Sequence, residues 1–202
     1  MTMPLQKAIA RKVADGATFL SALTMLALVG MISLWLVMPV MAENPDNDNL
    51  PAAINAQAGV PLAKVGSGTY RKFGFSVYRA SLWAPGGSWD AAKPYALRLS
   101  YARSLSRDTL VDGVMDGIRE QKTASEAMLV RWTQSMNQTL PAVSDGDEII
   151  GLALPGKDSL LFYNGKQIMR IEDSDLSAAF FRVWLGEQAD ESLRDKLLGR
   201  DQ

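Results

Sequence analysis

The clearest candidate for chemistry is an arginine that closely follows two glycines, at positions 66–71. Gly66-Ser67-Gly68 raises the question of a phosphate-binding loop. A dinucleotide-binding fingerprint would need its third glycine where Arg71 stands, and no Gly-Lys-Ser/Thr follows as in a P-loop. We therefore interpret Gly66-Ser67-Gly68 as a turn that enters a strand. Arg71 is then a permanent positive charge suited to holding an anionic oxygen in a fixed geometry.

Histidine and cysteine are both absent from the 202 residues. Their absence excludes Ser-His-Asp and Cys-His catalysis, disulfide bonds, and metal or haem sites that need an imidazole or a thiolate. Any acid–base work falls to Asp, Glu, Lys, Tyr or bound water. The net charge of −1 provides no basic field for nucleic acid. We expect no metal, no cofactor and no nucleic-acid partner.

Two groups of acidic residues have spacings that could serve catalysis or metal binding. Asp112 and Asp116 are four residues apart on a predicted helix. A solvent-facing pair is favoured over a catalytic dyad, because like charges at this spacing repel each other; Asp112 is nevertheless kept as a candidate catalytic residue. Asp145, Asp147 and Glu148 cluster in a predicted turn, and a calcium loop would need more ligands at fixed offsets.

The elements that must position these residues follow from hydrophobic periodicity. Alternation predicts five strands, over residues 73–84, 95–101, 148–154, 159–163 and 167–171. The alternation changes phase after Val77, which indicates either a β-bulge or a strand whose two faces are covered in turn. Asn164-Gly165 favours a two-residue type I′ turn.

Helical periodicity predicts four helices, over 106–121, 123–139, from an Asp173 or Ser174 cap towards Gly186, and over 191–198. The order β-β-α-α-β-β-β-α-α separates strands from helices. It predicts an α+β fold in which an antiparallel sheet packs against a layer of helices. Gly113 and Gly117 leave one side of the first helix bare, which indicates close packing or room for a ligand.

The first 42 residues predict an export signal or a membrane anchor. Lys7, Arg11 and Lys12 precede a stretch without charge over 16–42, long enough to cross a bilayer as a hydrophobic helix with its positive end in the cytoplasm. Val40-Met41-Ala42 is an acceptable cleavage site, whereas the stretch exceeds the usual signal core of about 7–15 residues. Both readings stay open. In either case we expect the rest of the chain to be exported, as a periplasmic protein or anchored in the inner membrane.

The exported part divides into two predicted segments. Residues 43–61 are polar and rich in Pro, Asn and Asp, which predicts a flexible linker without a core. The folded domain is predicted over residues 62–199.

Three segments in this order resemble the bacterial chalcone isomerase-like proteins. They are GSGTYRKFGFSVYRASLWAP, LRLSYARSLSRDTLVDGVMDGIR and LFYNGKQIMRIEDSDLSAAFFRVWLG…LRDKLLG. The resemblance covers roughly residues 62–199. It implies an antiparallel sheet, a layer of helices and a ligand cleft between them. Plant chalcone isomerases close a flavonoid ring without a cofactor. Relatives with the same fold bind fatty acids, and others bind haem through a histidine that this chain lacks.

The resemblance also assigns roles to single residues. It makes Arg71 the counterpart of the catalytic arginine, which follows a Gly-x-Gly turn in the plant enzymes. It places Phe73 and Leu105 where those enzymes carry a threonine and a tyrosine, and Asp112 where they carry an asparagine. Two hydroxyls that orient water and polarise a ketone are thus missing, unless a nearby tyrosine such as Tyr78 replaces them. The resemblance therefore implies binding rather than catalysis.

The leading hypothesis is an exported, non-catalytic domain that holds a small apolar or amphipathic anion, such as a fatty acid. Arg71, with Arg103 or Arg107, would pair with the carboxylate at the mouth of an apolar cleft. The predicted lining residues are Phe73, Phe75, Tyr78, Leu110 and Val114.

Two other functions stay open at this point. One is a cofactor-independent isomerase, an intramolecular lyase in which Arg71 stabilises a phenolate or an enolate. The other is a structural or partner-binding envelope protein, in which Arg71 only pairs with a carboxylate such as that of Asp112.

Overall fold

A computed structural model describes residues 49–200. In chain order its elements are α1 (Ala52–Gln57), β1 (Leu62–Lys72), β2 (Phe75–Pro85), β3 (Tyr95–Tyr101), α2 (Arg107–Glu120), α3 (Glu126–Thr139), β4 (Glu148–Ala153), β5 (Ser159–Tyr163), β6 (Lys166–Ile171), α4 (Ser174–Leu185) and α5 (Glu191–Leu197). The predicted α+β class is confirmed. The hydrophobic helix predicted within 1–42 lies outside the described residues. None of the helices within 49–200 is both long and apolar enough to cross a bilayer.

The six strands form one antiparallel sheet in sequential order, β1-β2-β3-β4-β5-β6. Because side chains alternate along a strand, each strand supplies two faces. On β3, Tyr95, Leu97 and Leu99 point to the main core, whereas Ala96 joins a second cluster on the opposite side. We call the first side the helix face and the second the outer face. The helix face carries α2, α4 and α5 and holds the larger core.

The main core is built from the apolar stripes of the helices against the helix face. Fully or nearly fully buried members include Met115 and Ile118 of α2, Trp132 of α3, and Phe181 of α4. Trp132 also anchors the start of α4, because its Nε1 donates a 2.9 Å hydrogen bond to the carboxylate of Asp173. Asp173 caps α4 as predicted, accepting from the amides of the first turn.

The outer face is covered by the segment that was expected to be a linker. Leu50, Ile54 and Ala58 of α1 and its flanks are buried against Trp83 and other outer-face residues. The prediction of a coreless linker over 43–61 is therefore wrong for this part of the segment. Only Leu50, Ile54 and Ala58 are buried in this stretch, too few to stand out in a polar sequence, yet they suffice for one short helix against a sheet.

The strand β1 was missed, and the turn assigned to Gly66-Ser67-Gly68 is wrong. Gly66 and Gly68 pair with Leu82 and Ala80 in the β1–β2 ladder. The turn lies later, at Phe73 and Gly74, where both residues have positive φ. The bulge predicted in β2 is confirmed, because Val77 is the extra residue between the Tyr70–Tyr78 and Arg71–Ser76 pairs.

Two other local signals had different outcomes. Asn164 and Gly165 both have positive φ, as a type I′ turn requires, so that prediction is confirmed. The helix α3 begins later than predicted, because its cap is Ser125 rather than Thr123. The Ser125 side chain accepts a 3.4 Å hydrogen bond from the amide of Met128.

Candidate functional site

A cleft of about 600 Å³ opens on the helix face beside the β1–β2 hairpin. Its walls come from the hairpin, from β3, from α2, from the end of α4 and from the start of α5. The volume falls within the range of about 300–1,000 Å³ that small-molecule sites occupy. The lining residues discussed below are Tyr70, Lys72, Phe73, Phe75, Val77, Tyr78, Tyr101, Arg103, Leu105, Leu110, Gly113, Val114, Asp116, Gly117, Glu120, Arg182, Val183, Trp184, Asp190 and Leu193.

The sheet side of the cleft is a cluster of three tyrosines from neighbouring strands. Tyr70 of β1 stacks on Tyr78 of β2, with ring centroids 5.1 Å apart. Tyr78 meets Tyr101 of β3 edge to face at 6.0 Å. Trp184 of α4 donates a 3.0 Å hydrogen bond from Nε1 to the Tyr78 hydroxyl. The hydroxyl of Tyr78 thereby has an acceptor position filled, and its own proton finds no acceptor within residues 49–200.

Burial keeps these hydroxyls in their neutral form. Desolvation raises the pKa of Tyr78 well above its usual value of 10, and the hydrogen bond from Trp184 opposes this only in part. Burial likewise raises the pKa of Tyr101. Both groups therefore remain protonated at physiological pH, so they can donate hydrogen bonds into the cleft but cannot act as general bases.

Leu110, Val114 and Val183 form an apolar part of the helix side of the cleft, and the two glycines of α2 have different roles there. A Cβ at Gly117 would lie 2.8 Å from a Val183 methyl group, so Gly117 allows α2 and α4 to pack closely. A Cβ at Gly113 would meet nothing within 4 Å, so Gly113 leaves open space in the cleft. Leu110 and Val114 flank that space. Both alternatives predicted for the bare side of this helix therefore occur: close packing at Gly117 and open space at Gly113.

The mouth of the cleft combines cations with aromatic rings. Lys72 Nζ lies 5.9 Å from the centroid of the Phe73 ring, and Arg103 Cζ lies 5.5 Å from that of Phe75. Within residues 49–200, neither cation forms an ion pair. The rings are largely in solvent, with exposures of 89% for Phe73 and 65% for Phe75. They form a rim rather than a buried wall.

The acidic residues of the cleft lie on the helix side and are mostly engaged. Asp116 forms a 2.8 Å ion pair with Arg119. Asp190 caps α5 by accepting from the amide of Leu193 at 2.8 Å. Glu120 and Arg182 also lie on this side. Asp116 and Asp190 are thus engaged within the protein, whereas Lys72 and Arg103 at the mouth have no ion-pair partner within residues 49–200.

Five of the predicted lining residues do lie on the cleft: Phe73, Phe75, Tyr78, Leu110 and Val114. Arg103 does as well. Their contact with a ligand stays a prediction.

Three other predicted site residues lie elsewhere. Arg71 is on the outer face, where its Nε donates a 3.4 Å hydrogen bond to Ser76 Oγ, because its neighbours Tyr70 and Lys72 occupy the helix face. Arg107 donates from Nε to the Leu140 carbonyl at 2.7 Å and ties α2 to the end of α3. Asp112 is exposed on α2 and does not line the cleft.

Sequence reasoning missed several of the residues that matter here. Tyr101 alternates with Leu97 and Leu99 in the predicted strand 95–101, and that pattern could have placed it on the helix face. Lys72 and Tyr70 were hidden because β1 was not recognised. Trp184 lies in the predicted helix that runs towards Gly186, but its polar contact with Tyr78 carries no sequence signal.

The acidic group at 145–148 organises a turn. The Asp147 carboxylate accepts from the Tyr163 hydroxyl at 2.8 Å, from Asn164 Nδ2 at 2.9 Å and from the amide of Ser144 at 2.7 Å. These bonds, that from Asn164 first, hold the pKa of Asp147 below its usual value. Across the described part of the chain, no group of three or more His, Cys, Asp or Glu residues is arranged to hold a metal ion.

Comparisons with known proteins agree on the fold. A family model described as chalcone isomerase-like matches residues 44–199. No curated protein sequence gives a significant match. Among solved structures, the chain is similar to a fatty-acid binding protein of Arabidopsis thaliana, with a TM-score of 0.53 and 14% identity over 68% of this chain and 87% of that one. At this identity the likeness is one of fold.

Proposed function

Since the chain belongs to the chalcone isomerase-like family, we propose that its domain is a non-catalytic binding protein for a small amphipathic anion such as a fatty acid. The observation that carries the proposal is the cleft of about 600 Å³ with an apolar helix wall, neutral tyrosine hydroxyls and unpaired cations at its mouth. The fold similarity to a fatty-acid binding protein supports the same ligand class.

The polarity of the cleft supports one orientation of the ligand. A carboxylate at the mouth would meet Lys72 and Arg103, which have no ion-pair partner within residues 49–200. The alkyl chain would then lie along Leu110, Gly113 and Val114. Burial of that chain supplies most of the affinity, at about 0.8 kcal/mol per methylene group. The cations supply orientation more than affinity, because they are exposed to solvent.

The placement of Arg71 argues against the isomerase alternative. A cationic catalyst must touch the oxygen on which charge develops, and Arg71 lies on the opposite face of the sheet from the cleft. Tyr78 and Tyr101 supply hydroxyls, but their raised pKa values keep these two groups from acting as a base. The envelope-protein alternative, with Arg71 paired to Asp112, has no such ion pair among residues 49–200.

The test is a titration with a fluorescent fatty acid, backed by native mass spectrometry of protein purified from its own host. Arg103→Gln should weaken binding by about three- to tenfold, as expected for an exposed charge pair. Arg71→Gln is the matched control, because it removes the same side chain from the other face and should leave affinity unchanged. The proposal fails if the wild-type protein has no measurable affinity. It also fails in its orientation if Arg71→Gln weakens binding and Arg103→Gln does not.

The proposal extends to location. The charge-free stretch over 16–42 behind Lys7, Arg11 and Lys12 supports export, with the domain periplasmic or anchored in the inner membrane. Fractionation of the native host, with protease added to spheroplasts, tests this. Protection of the domain from the protease would overturn it.

A further inference from the structure

The tip of the β1–β2 hairpin presents two aromatic side chains to solvent at a strained turn. Phe73 has φ of 52° and is 89% exposed, and Gly74 follows with φ of 82°. The first position of such a turn is normally Asn, Asp or Gly, because they tolerate a left-handed backbone. Phe75, at 65% exposure, stands beside it. A phenylalanine in this conformation has no folding advantage, so its presence indicates an external contact.

The hairpin that carries these rings is also strongly basic. Residues 62–85 contain Lys64, Arg71, Lys72 and Arg79 and no acidic residue, a net charge of +4 in a chain whose total is −1. Arg103 adds a further cation from the segment after β3, over the ring of Phe75. Cations thus surround the rings on both sides of the hairpin. Lipid surfaces with anionic headgroups select this combination of exposed aromatic and basic side chains.

We propose that the hairpin tip docks on an anionic lipid bilayer, with Phe73 and Phe75 inserted at the level of the headgroups. Lys72, Arg71 and Arg103 would lie over the lipid phosphates. Since Lys72, Phe73, Phe75 and Arg103 also form the mouth of the cleft, docking would place that mouth against the bilayer. An amphipathic ligand could then pass between bilayer and cleft without crossing water. This last step rests on the proposed function, whereas the docking itself does not.

The charge pattern favours a bilayer over a protein partner. The basic residues are spread over both faces of the hairpin, with Arg71 on the outer face and Lys72 on the helix face. A hairpin tip that enters an anionic bilayer end on can contact the headgroups with both of its faces at once. A protein pocket would instead favour one face. Attraction of this kind depends on salt, since it falls off within a Debye length.

The absence of cysteine from the sequence permits a local test in the full-length chain. Phe73→Cys provides a single thiol for an environment-sensitive nitrobenzoxadiazole label, and Phe75→Cys is a second labelling site. Val130→Cys is the control, because Val130 is 66% exposed on α3 and does not line the cleft. The proteins are reconstituted in vesicles of phosphatidylcholine alone or with equal phosphatidylglycerol, some containing brominated acyl chains as quenchers.

The labels at 73 and 75 should shift to shorter wavelength and be quenched in the phosphatidylglycerol vesicles, while the label at 130 stays in water. The double substitution Lys72→Gln with Arg103→Gln should lower the affinity for the phosphatidylglycerol vesicles by roughly tenfold or more. High salt should lower this affinity as well. Labels at 73 and 75 that remain in water, or that respond no more than the label at 130, would overturn docking. If docking fails while the fatty-acid titration succeeds, only this inference is refuted. If docking succeeds while the titration detects no binding, only the proposed function is refuted.

Discussion

The strand β1 has two halves with opposite environments on the same face. At Gly66 and Gly68 the strand lies directly against α5, and the space for a side chain is taken by Lys196, Leu197 and Leu193. A few residues later, at Tyr70 and Lys72, the same face opens into the cleft.

The close packing at Gly66 and Gly68 determines the shape of the cleft beside Tyr70 and Lys72. Leu193 of α5 packs over Gly68 and also lines the cleft, so the close approach at the glycines sets the position of the cleft wall. The glycines contribute no chemistry themselves. They allow α5 to lie close enough to the sheet for Leu193 to form one wall of the cleft.

The largest expected effect is in the closed half. Gly66→Ala places a methyl group onto the backbone carbonyl oxygens of Lys196 and Leu197, which cannot rotate away. We expect a loss of about 3 kcal/mol or more in the free energy of unfolding. Urea unfolding followed by circular dichroism measures it. A loss below about 1 kcal/mol would mean that α5 moves freely, and that the contrast between the two halves is false.

The second effect concerns the loss of stability at alkaline pH, to which the cleft tyrosines Tyr78 and Tyr101 contribute. Because the folded protein raises the pKa of Tyr78 and Tyr101, the unfolded chain loses these protons first, near pH 10. Their contribution to stability is complete below pH 10 and is lost as the pH rises above it, at about 1.4 kcal/mol per tyrosine and pH unit.

Urea unfolding at pH 8 and at pH 11 measures this loss. In Tyr101→Phe the alkaline loss should shrink by the contribution of that tyrosine. The same alkaline slope in wild type and Tyr101→Phe would show that the cleft tyrosines ionise freely.

The third effect concerns the open space beside Gly113. Gly113→Leu fills part of the cleft with a side chain that suits a helix and whose Cβ meets nothing within 4 Å. Affinity for a fatty acid should fall at least about tenfold, or 1.4 kcal/mol, with stability retained. The titration described above measures it. Unchanged affinity would place the ligand elsewhere.

The smallest effect is a gain. Gly113→Ala adds a methyl group in open space and a residue that prefers the helix, so stability should rise by about 0.5–1 kcal/mol. It is the counterpart of Gly66→Ala, since the same change meets the backbone at one glycine and nothing at the other. Urea unfolding at pH 7 provides both values. A loss at Gly113 would indicate that the cleft is filled in solution.

Much of the fold was predictable because β2 to β6 and α2 to α5 carry clear periodicity. The exceptions have physical causes. In β1 the helix-face positions are Gly66 and Gly68, so the alternation that reveals a strand is missing where α5 needs the room. In α1 a single buried residue, Ile54, carries most of the helix packing. Neither leaves a pattern that hydropathy can detect.

The candidate site was predictable only in part. Leu110 and Val114 were found because a helical stripe beside two glycines is visible in sequence. Arg71 was expected at the mouth of the cleft, whereas it lies on the outer face of β1, because the phase of this strand is set by pairing across the bulge at Val77. The position of Lys72 follows from the same pairing.

The contact between α5 and β1 also has a consequence for biosynthesis. The strand β1 leaves the ribosome long before α5, the helix that covers its glycines. The backbone at Gly66 and Gly68 therefore stays uncovered until α5 has been made. The cleft therefore cannot acquire its final shape until translation has passed α5, because this last helix supplies one of its walls.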